Sequence, residues 1–481
     1  MKRLTLKLGI ALSGIALLFS GCNQGGGSAT NGALSSSAAE KVYVAPGEQD
    51  EYYAFLSGGY SGNLTVYGLP SGRMFKEIPV FSQFPTSGYG YSEETKPLLN
   101  TSHGFIPWDD LHHPDISQTN GELDGRWIFV NGNNTPRIAR ISLSTFETEE
   151  IIEIPNSAGN HSSSFITENT EYVVAGTRFS VPVPQRDMPI NEYKGNFKGA
   201  LTFINVEPEH GHMDIAFQVI MPGFNYDLSH PGRGKSHGWF FFSTYNTEEA
   251  SSLLEVNASQ NDKDFIAAIN WQKIEEYVNN GGGTKIPANY AHNVYDESRH
   301  MAVSSMKDEV LTVDPTKVPG AVYLLPTPKS PHGCDVDPSG QYIIGSGKLS
   351  ADITVHSFDK MIAAIEGEQF DGDAYGIPIL KFEEVLAGTV KSGGLGPLHT
   401  EFDGKGNAYT TFFISSEVVK WQLGTWEVVD RKPTFYSVGH LMIPGGNSRK
   451  PFGKYVVAMN KITKDRYLPT GPEMEHSAQI Y

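Results

Sequence analysis

Six of the chain's 15 histidines share one local context. They are His112 and His113 in Asp-Leu-His-His-Pro, His161 in Gly-Asn-His, His332 in Ser-Pro-His-Gly-Cys, His399 in Gly-Pro-Leu-His-Thr and His440 in Val-Gly-His-Leu. Each stands beside Gly, Pro or Asn, which places it at a turn and not inside a strand. They recur at intervals of 48, 67 and 41 residues (His113 to His161, His332 to His399, His399 to His440). Taken singly, any of them reads as a hydrogen-bonded turn residue. Taken as a set, they read as a ring of imidazoles around one axis. Imidazole suits Cu, Zn, Fe and Ni. Six or more histidines with no thiolate nearby are too many for one tetrahedral zinc, so the set predicts several metal ions.

Elements that recur must position residues that recur. From about residue 50 a unit repeats: a Gly-containing turn, a short strand, a second strand and a polar loop. Strand cores fall at Leu64–Tyr67, Trp127–Val130, Tyr172–Ala175, Trp239–Phe242, Tyr342–Ile344, Ala408–Thr411 and Tyr455–Ala458. Several follow the same turn chemistry, as in Asp124-Gly125-Arg126, Pro338-Ser339-Gly340 and Asp403-Gly404-Lys405. Spacings of this kind suit four-stranded propeller blades with variable loops. The expectation is an all-β, seven-bladed β-propeller over residues 50–481, with its histidines at one mouth. An irregular array of β-sandwiches is the competing architecture. Met301-Ala302-Val303 reads as an eighth repeat or as an extra strand inside a blade. Trp271–Asn279 and Phe358–Glu366 are the helical candidates.

Composition limits the partners. The net charge of -17 repels phosphate backbones and excludes nucleic acid as a partner. Two cysteines, Cys22 and Cys334, cannot form a disulfide framework or a four-thiolate site. Residues 1–21 carry a basic start (Lys2, Arg3, Lys7) and an apolar stretch from Leu8 to Phe19, followed by Ser20-Gly21-Cys22. This has the form of a lipoprotein signal peptide, with Cys22 as the lipidated first residue of the mature chain. Residues 22–49 then read as the lipidated Cys and a flexible tether. The expected location is the periplasmic or extracytoplasmic side, anchored to a membrane through Cys22.

The motifs around the histidines resemble nitrous-oxide reductase. Asp110-Leu111-His112-His113-Pro114 carries the resemblance, with Asp124 to Asn131, Arg137 to Ile141, Ser330 to Cys334, Gly394 to Thr411 and Lys461 to Leu468. The resemblance implies a four-copper sulfide centre, CuZ, held by His112, His113, His161, His332, His399 and His440. It implies Lys461 as a charge or proton donor beside the cluster, and Asp110 as an acid that orients the site or relays protons. It also implies a calcium site at Tyr245, Glu248 and Asp264, with Ser330 standing where the family has Asn. The reaction implied is reduction of nitrous oxide to dinitrogen and water. The partners implied are a second copy in a head-to-tail homodimer and an electron donor such as a c-type cytochrome or cupredoxin. The family's seventh copper histidine lies beyond Lys461 in a Glu-Pro-His motif that is not in these 481 residues, nor are the paired cysteines of its CuA electron-entry domain. The expectation is therefore a propeller that ends before the cupredoxin domain and is inactive by itself. The alternative is a non-catalytic, lipid-anchored propeller that binds or holds a metal.

Overall fold

The computed structural model describes residues 38–192, 195–247, 264–327, 329–435, 437–460 and 477–480. The chain divides into Met1–Tyr43 and Val44–Tyr481. The described part of the first unit holds a short helix, Ala38–Lys41. Cys22 and the signal segment lie outside the described residues.

The second unit is the expected propeller. Its second blade runs Leu111–Thr119, Glu122–Gly132, Arg137–Ser142 and Glu147–Glu153, each strand antiparallel to the next. The third, fourth, fifth and sixth blades begin with Ser162–Ile166, Phe224–Pro231, Pro331–Val336 and Pro397–Phe402, and each has four meandering strands. The seventh starts at Val438–Met442 and shows three strands among the described residues. From the second blade to the seventh, these innermost strands pack side by side in chain order. Second strands of the blades are apolar runs because neighbouring blades cover both of their faces. Ile128–Val130, Val173–Val174 and Phe240–Phe242 are fully buried.

The first blade is different. Among the described residues it has three strands, Tyr52–Ser57, Asn63–Leu69 and Met74–Pro79. Tyr52–Ser57 leads directly to Gly59, which bridges to Leu111 at the start of the second blade's innermost strand. It therefore runs towards the mouth at which the other innermost strands begin, as a second strand does. No described strand fills this blade's innermost place.

The segment at Met301 is not an eighth blade. Thr284–Asp296 and Met301–Val313 form a long hairpin across the outer edges of two blades. One arm pairs antiparallel with Glu147–Glu153 and the other parallel with Met213–Met221. This covers two edges that would otherwise expose unpaired backbone groups. Both helical candidates form over the expected spans, with Asn270 and Ser357 capping their N-termini.

Candidate metal centre

Every innermost strand from the second blade to the seventh breaks its pairing register near its start. The shifts fall between Leu111 and Pro114, Ser163 and Phe165, Tyr226 and Ser229, Pro331 and Gly333, Pro397 and Thr400, and Val438 and Leu441. A bulge re-aims side chains and frees them from strict alternation. Here it brings side chains from six strands together at one mouth. Five of the six bring a histidine to it: His112, His113, His332, His399 and His440 lie within their strands, not at the turns expected, and His161 just before its own, while the sixth strand, Phe224–Pro231, carries His230 near its far end.

The six rings form one cluster. Centroid separations are 4.5 Å for His112–His113, 4.6 Å for His112–His161 and 4.7 Å for His112–His440. The circuit continues through His399–His440 at 5.0 Å, His332–His399 at 5.2 Å and His161–His332 at 5.5 Å. The nitrogens of His112, His113 and His161 converge within 4.8 Å of one another, as do those of His113, His399 and His440. All six histidines are at most 8% exposed. Burial, and then the Arg178 charge, push the His161 imidazole down to about 3, so it is neutral at ordinary pH, the form in which an imidazole can bind a metal. A buried, thiolate-free array of converging imidazoles fits a borderline metal such as copper.

The fourth blade supplies no histidine to the ring. At its bulge stands Asp227, which the sequence reading did not single out. Its carboxylate accepts from His332 Nδ1 at 2.6 Å and lies 3.1 Å from His161 Nδ1. Arg178 approaches it at 2.8 Å and Lys348 at 3.4 Å. Burial alone would raise this carboxyl, but His332, Lys348 and Arg178 together hold it well below the usual range. One signal was available in the sequence. Asp227 precedes the strand core Trp239–Phe242 much as each histidine precedes its own core.

The remaining ring contacts follow the same logic. His113 Nδ1 meets the carbonyl of His161 at 2.8 Å. Asp110 lies 3.5 Å from His112 Nδ1 and accepts from Asn133 Nδ2 at 3.0 Å, so this predicted residue does stand at the cluster. Its neighbour Asp109 is fully buried. It takes the backbone N–H groups of Asp110, Asn134 and Thr135 and pairs with buried Arg137 at 3.5 Å. That pair fixes the segment leading into His112.

Lys461 and Glu248 lie outside the described residues. Tyr245 falls within the strand Trp239–Thr247. Asp264 and Ser330 are brought together, with the Ser330 N–H donating to Asp264 Oδ1 at 2.8 Å. The other Asp264 oxygen lies 3.9 Å from Lys329 Nζ.

A cavity of about 420 Å³ runs from His112, His113, His399 and His440 down the axis. It reaches Asp115, Asp335 and Glu401 and extends outwards to the exposed residues Tyr53 and Phe452. Burial pushes Asp115 up to about 6 and both Asp335 and Glu401 well above the carboxylate range.

Comparison with known proteins agrees with this geometry. Residues 431–481 match the family model described as nitrous oxide reductase propeller repeat. The chain is 32% identical over 460 residues to nitrous-oxide reductase of Stutzerimonas stutzeri, a match covering 92% of the chain and 65% of that protein. It is 32% identical to the enzyme of Pseudomonas fluorescens, covering 93% of the chain and 66% of the relative. For the enzyme of Cupriavidus necator the figures are 31%, 92% and 67%. The chain thus spans about two thirds of the length of these relatives.

Proposed function

The chain belongs to the nitrous-oxide reductase family, and on that premise we propose that its histidine ring holds the copper of a nitrous-oxide-reducing centre. The observation that carries this reading is the convergence of six buried imidazoles from five blades. The residues fit such a group: the donors are all imidazole, and all six rings are buried. A four-copper sulfide cluster bound there would supply two electrons to nitrous oxide, which with two protons gives dinitrogen and water.

The protein's own residues position and shield this chemistry. Asp227 occupies the Nδ1 edge of His332, which leaves Nε2 facing the ring centre. The His161 carbonyl does the same for His113. Low exposure of the ring excludes bulk water and strengthens every local electrostatic interaction. Asp110 is placed to orient His112 or to pass a proton beside it. Lys461 follows Asn460, the last residue of the strand Val457–Asn460, and in this reading brings an ammonium to the same mouth as a proton donor.

Electrons would enter from a CuA domain. In this reading that domain sits on a partner subunit in a head-to-tail homodimer and is reduced by a cytochrome or cupredoxin. Exposed apolar residues in loops next to the starts of the innermost strands support docking at the histidine mouth: Tyr60, Trp108, Phe179, Leu349, Leu395 and Ile414. A seventh copper ligand would enter at the innermost place of the first blade. Calcium at Tyr245, Glu248, Asp264 and Ser330, and membrane anchoring through Cys22 on the extracytoplasmic side, complete the proposal.

The test is expression of the full-length protein with copper-maturation factors, followed by copper and sulfide analysis and assay of nitrous oxide consumption. Copper, sulfide and turnover are expected together. A metal-free propeller with His112, His113 and His399 intact would overturn the reading and favour a non-catalytic binding module.

A further inference from the structure

We propose that the turn between the third and outermost strands of the third blade binds one borderline divalent ion, of the zinc class, through Glu207, Glu209, His210 and His212. The site is independent of the histidine ring and of what the ring holds.

The turn joins Phe197–Val206 to Met213–Met221. The blade's innermost strand starts at the ring mouth, and its third strand runs the same way. The turn at the third strand's end therefore lies on the opposite face of the propeller. Among the described residues, three groups of histidine and acid side chains bring their ligand atoms within 4.8 Å of one another. Two are triads of the ring. The third is Glu207, Glu209 and His210. His212 stands beside them, its ring centroid 6.1 Å from that of His210 and the planes 28° apart. The two imidazoles are 65% and 54% exposed, so both are free to turn and share an ion.

The backbone of the turn is held by the protein itself. The Glu207 N–H donates to the His212 carbonyl and the Gly211 N–H to the Glu207 carbonyl, both at 2.8 Å. Arg126 Nη1, from the second blade, donates to the Pro208 carbonyl at 2.7 Å. Gly211 has a φ of +77°, and a Cβ there would meet the Trp127 ring at 2.5 Å, so the turn rests directly on the second blade. The N–H groups of Glu209 and His210 donate to the Glu207 carboxylate at 2.8 Å and 2.7 Å and hold it ionised, below the usual range.

A second observation comes from outside the turn. Glu150 of the second blade is fully buried and faces His212 Nδ1 at 3.6 Å. It also accepts the N–H of Met213, the next residue, at 3.0 Å. Burial alone would raise this carboxyl, but His212, His292 and Arg140 hold it down at about 2. A carboxylate at one nitrogen of an imidazole is the support that metal-ligating histidines ordinarily have, and it leaves Nε2 as the ligand atom.

The identity of the ion follows from the donors. Two imidazole nitrogens and two carboxylate oxygens match the four-coordinate, mixed shell of zinc, and the two carboxylates balance its charge. Calcium and magnesium take shells of oxygen without imidazole.

Equilibrium dialysis of the full chain against micromolar zinc, with zinc per chain measured by atomic emission, tests this. The ring's imidazoles can take zinc too, so the readout is a difference between variants. The double variant His210→Ala, His212→Ala should bind one zinc fewer per chain than the parent, with circular dichroism as the check on folding. Crystals of the parent soaked in zinc and measured above the zinc absorption edge should show an anomalous peak at the turn, between Glu207 and His210. Equal zinc in the parent and the double variant overturns the proposal, as does a peak at the ring with none at the turn.

Discussion

Asp227 ties His332 to His161: one carboxylate meets the Nδ1 atoms of both, at 2.6 Å and 3.1 Å, from the one blade among the six that gives the ring no imidazole. Two rings on either side of the fourth blade are thereby set by a single residue, His332 by its carboxylate and His161 chiefly by its backbone carbonyl. The carboxylate stays ionised because His332, Lys348 and Arg178 surround it. Asp227→Asn should therefore leave the propeller folded, since the amide is nearly isosteric, while releasing His332; His161 keeps its hydrogen bond to the Asp227 backbone carbonyl. Loss of such a supporting contact typically lowers metal affinity about 10- to 100-fold. Copper content per chain at limiting copper, with circular dichroism as the check on folding, measures it. Unchanged copper content would remove Asp227 from the positioning role.

The blades were legible in the chain for a physical reason. Ile128–Val130 and Phe240–Phe242 are covered on both faces, so they read as unbroken apolar runs after a glycine turn. The histidines were legible because a bulge at the start of a strand needs the Gly, Pro and Asn neighbours that marked them. Asp227 was not, since one acid at a repeated place breaks the residue-type pattern that made the others visible. The hairpin Thr284–Asp296 and Met301–Val313 was illegible too. Its partners, Glu147–Glu153 and Met213–Met221, are remote in sequence, and no local pattern specifies pairing at that distance. Nor did Asp115, Asp335 and Glu401 stand out, because nothing in the sequence shows that three strands deliver them to one cavity.

Asp109 and Arg137 make a second test, one of stability. Both side chains are fully buried, and Arg137 also donates to the carbonyls of Ile106 and Trp108. Asp109→Ala leaves the guanidinium without its counter-charge. Removing one partner of a buried pair costs about 3–5 kcal/mol. The denaturant midpoint should fall accordingly with little change in slope. Because the pair anchors the segment before Asp110 and His112, metal binding should weaken in the fraction that remains folded.

Gly333 tests the closeness of two innermost strands. A Cβ at this position would lie 1.9 Å from the carbonyl oxygen of Leu398, which is backbone and cannot swing aside. Gly333→Ala must separate the fifth and sixth blades where His332 and His399 face each other, with Nε2 atoms 3.4 Å apart. Copper loading and thermal stability should fall together. A variant with full copper and an unchanged melting temperature would show that the strands can part without cost.

His356 gives a prediction about pH that is independent of the metal centre. It sits in the third strand of the fifth blade, is fully buried, and neither ring nitrogen has a hydrogen-bond partner. Its neighbour is the edge of the Phe382 ring, 6.1 Å away. Burial pushes the imidazole down to about 4, from 6.5 in an unfolded chain. Between those values the unfolded state binds a proton that the folded state refuses. Acid therefore favours unfolding: the loss begins as pH falls through about 6.5 and is complete below about 4. From pH 7 to pH 5 this one group should remove about 2 kcal/mol of stability. His356→Leu keeps an apolar side chain of similar size in the same pocket and cannot take up the proton. Urea unfolding at the two pH values should show a smaller drop for the variant than for the parent, by about that amount. Equal drops would mean that His356 does not resist protonation in the folded blade.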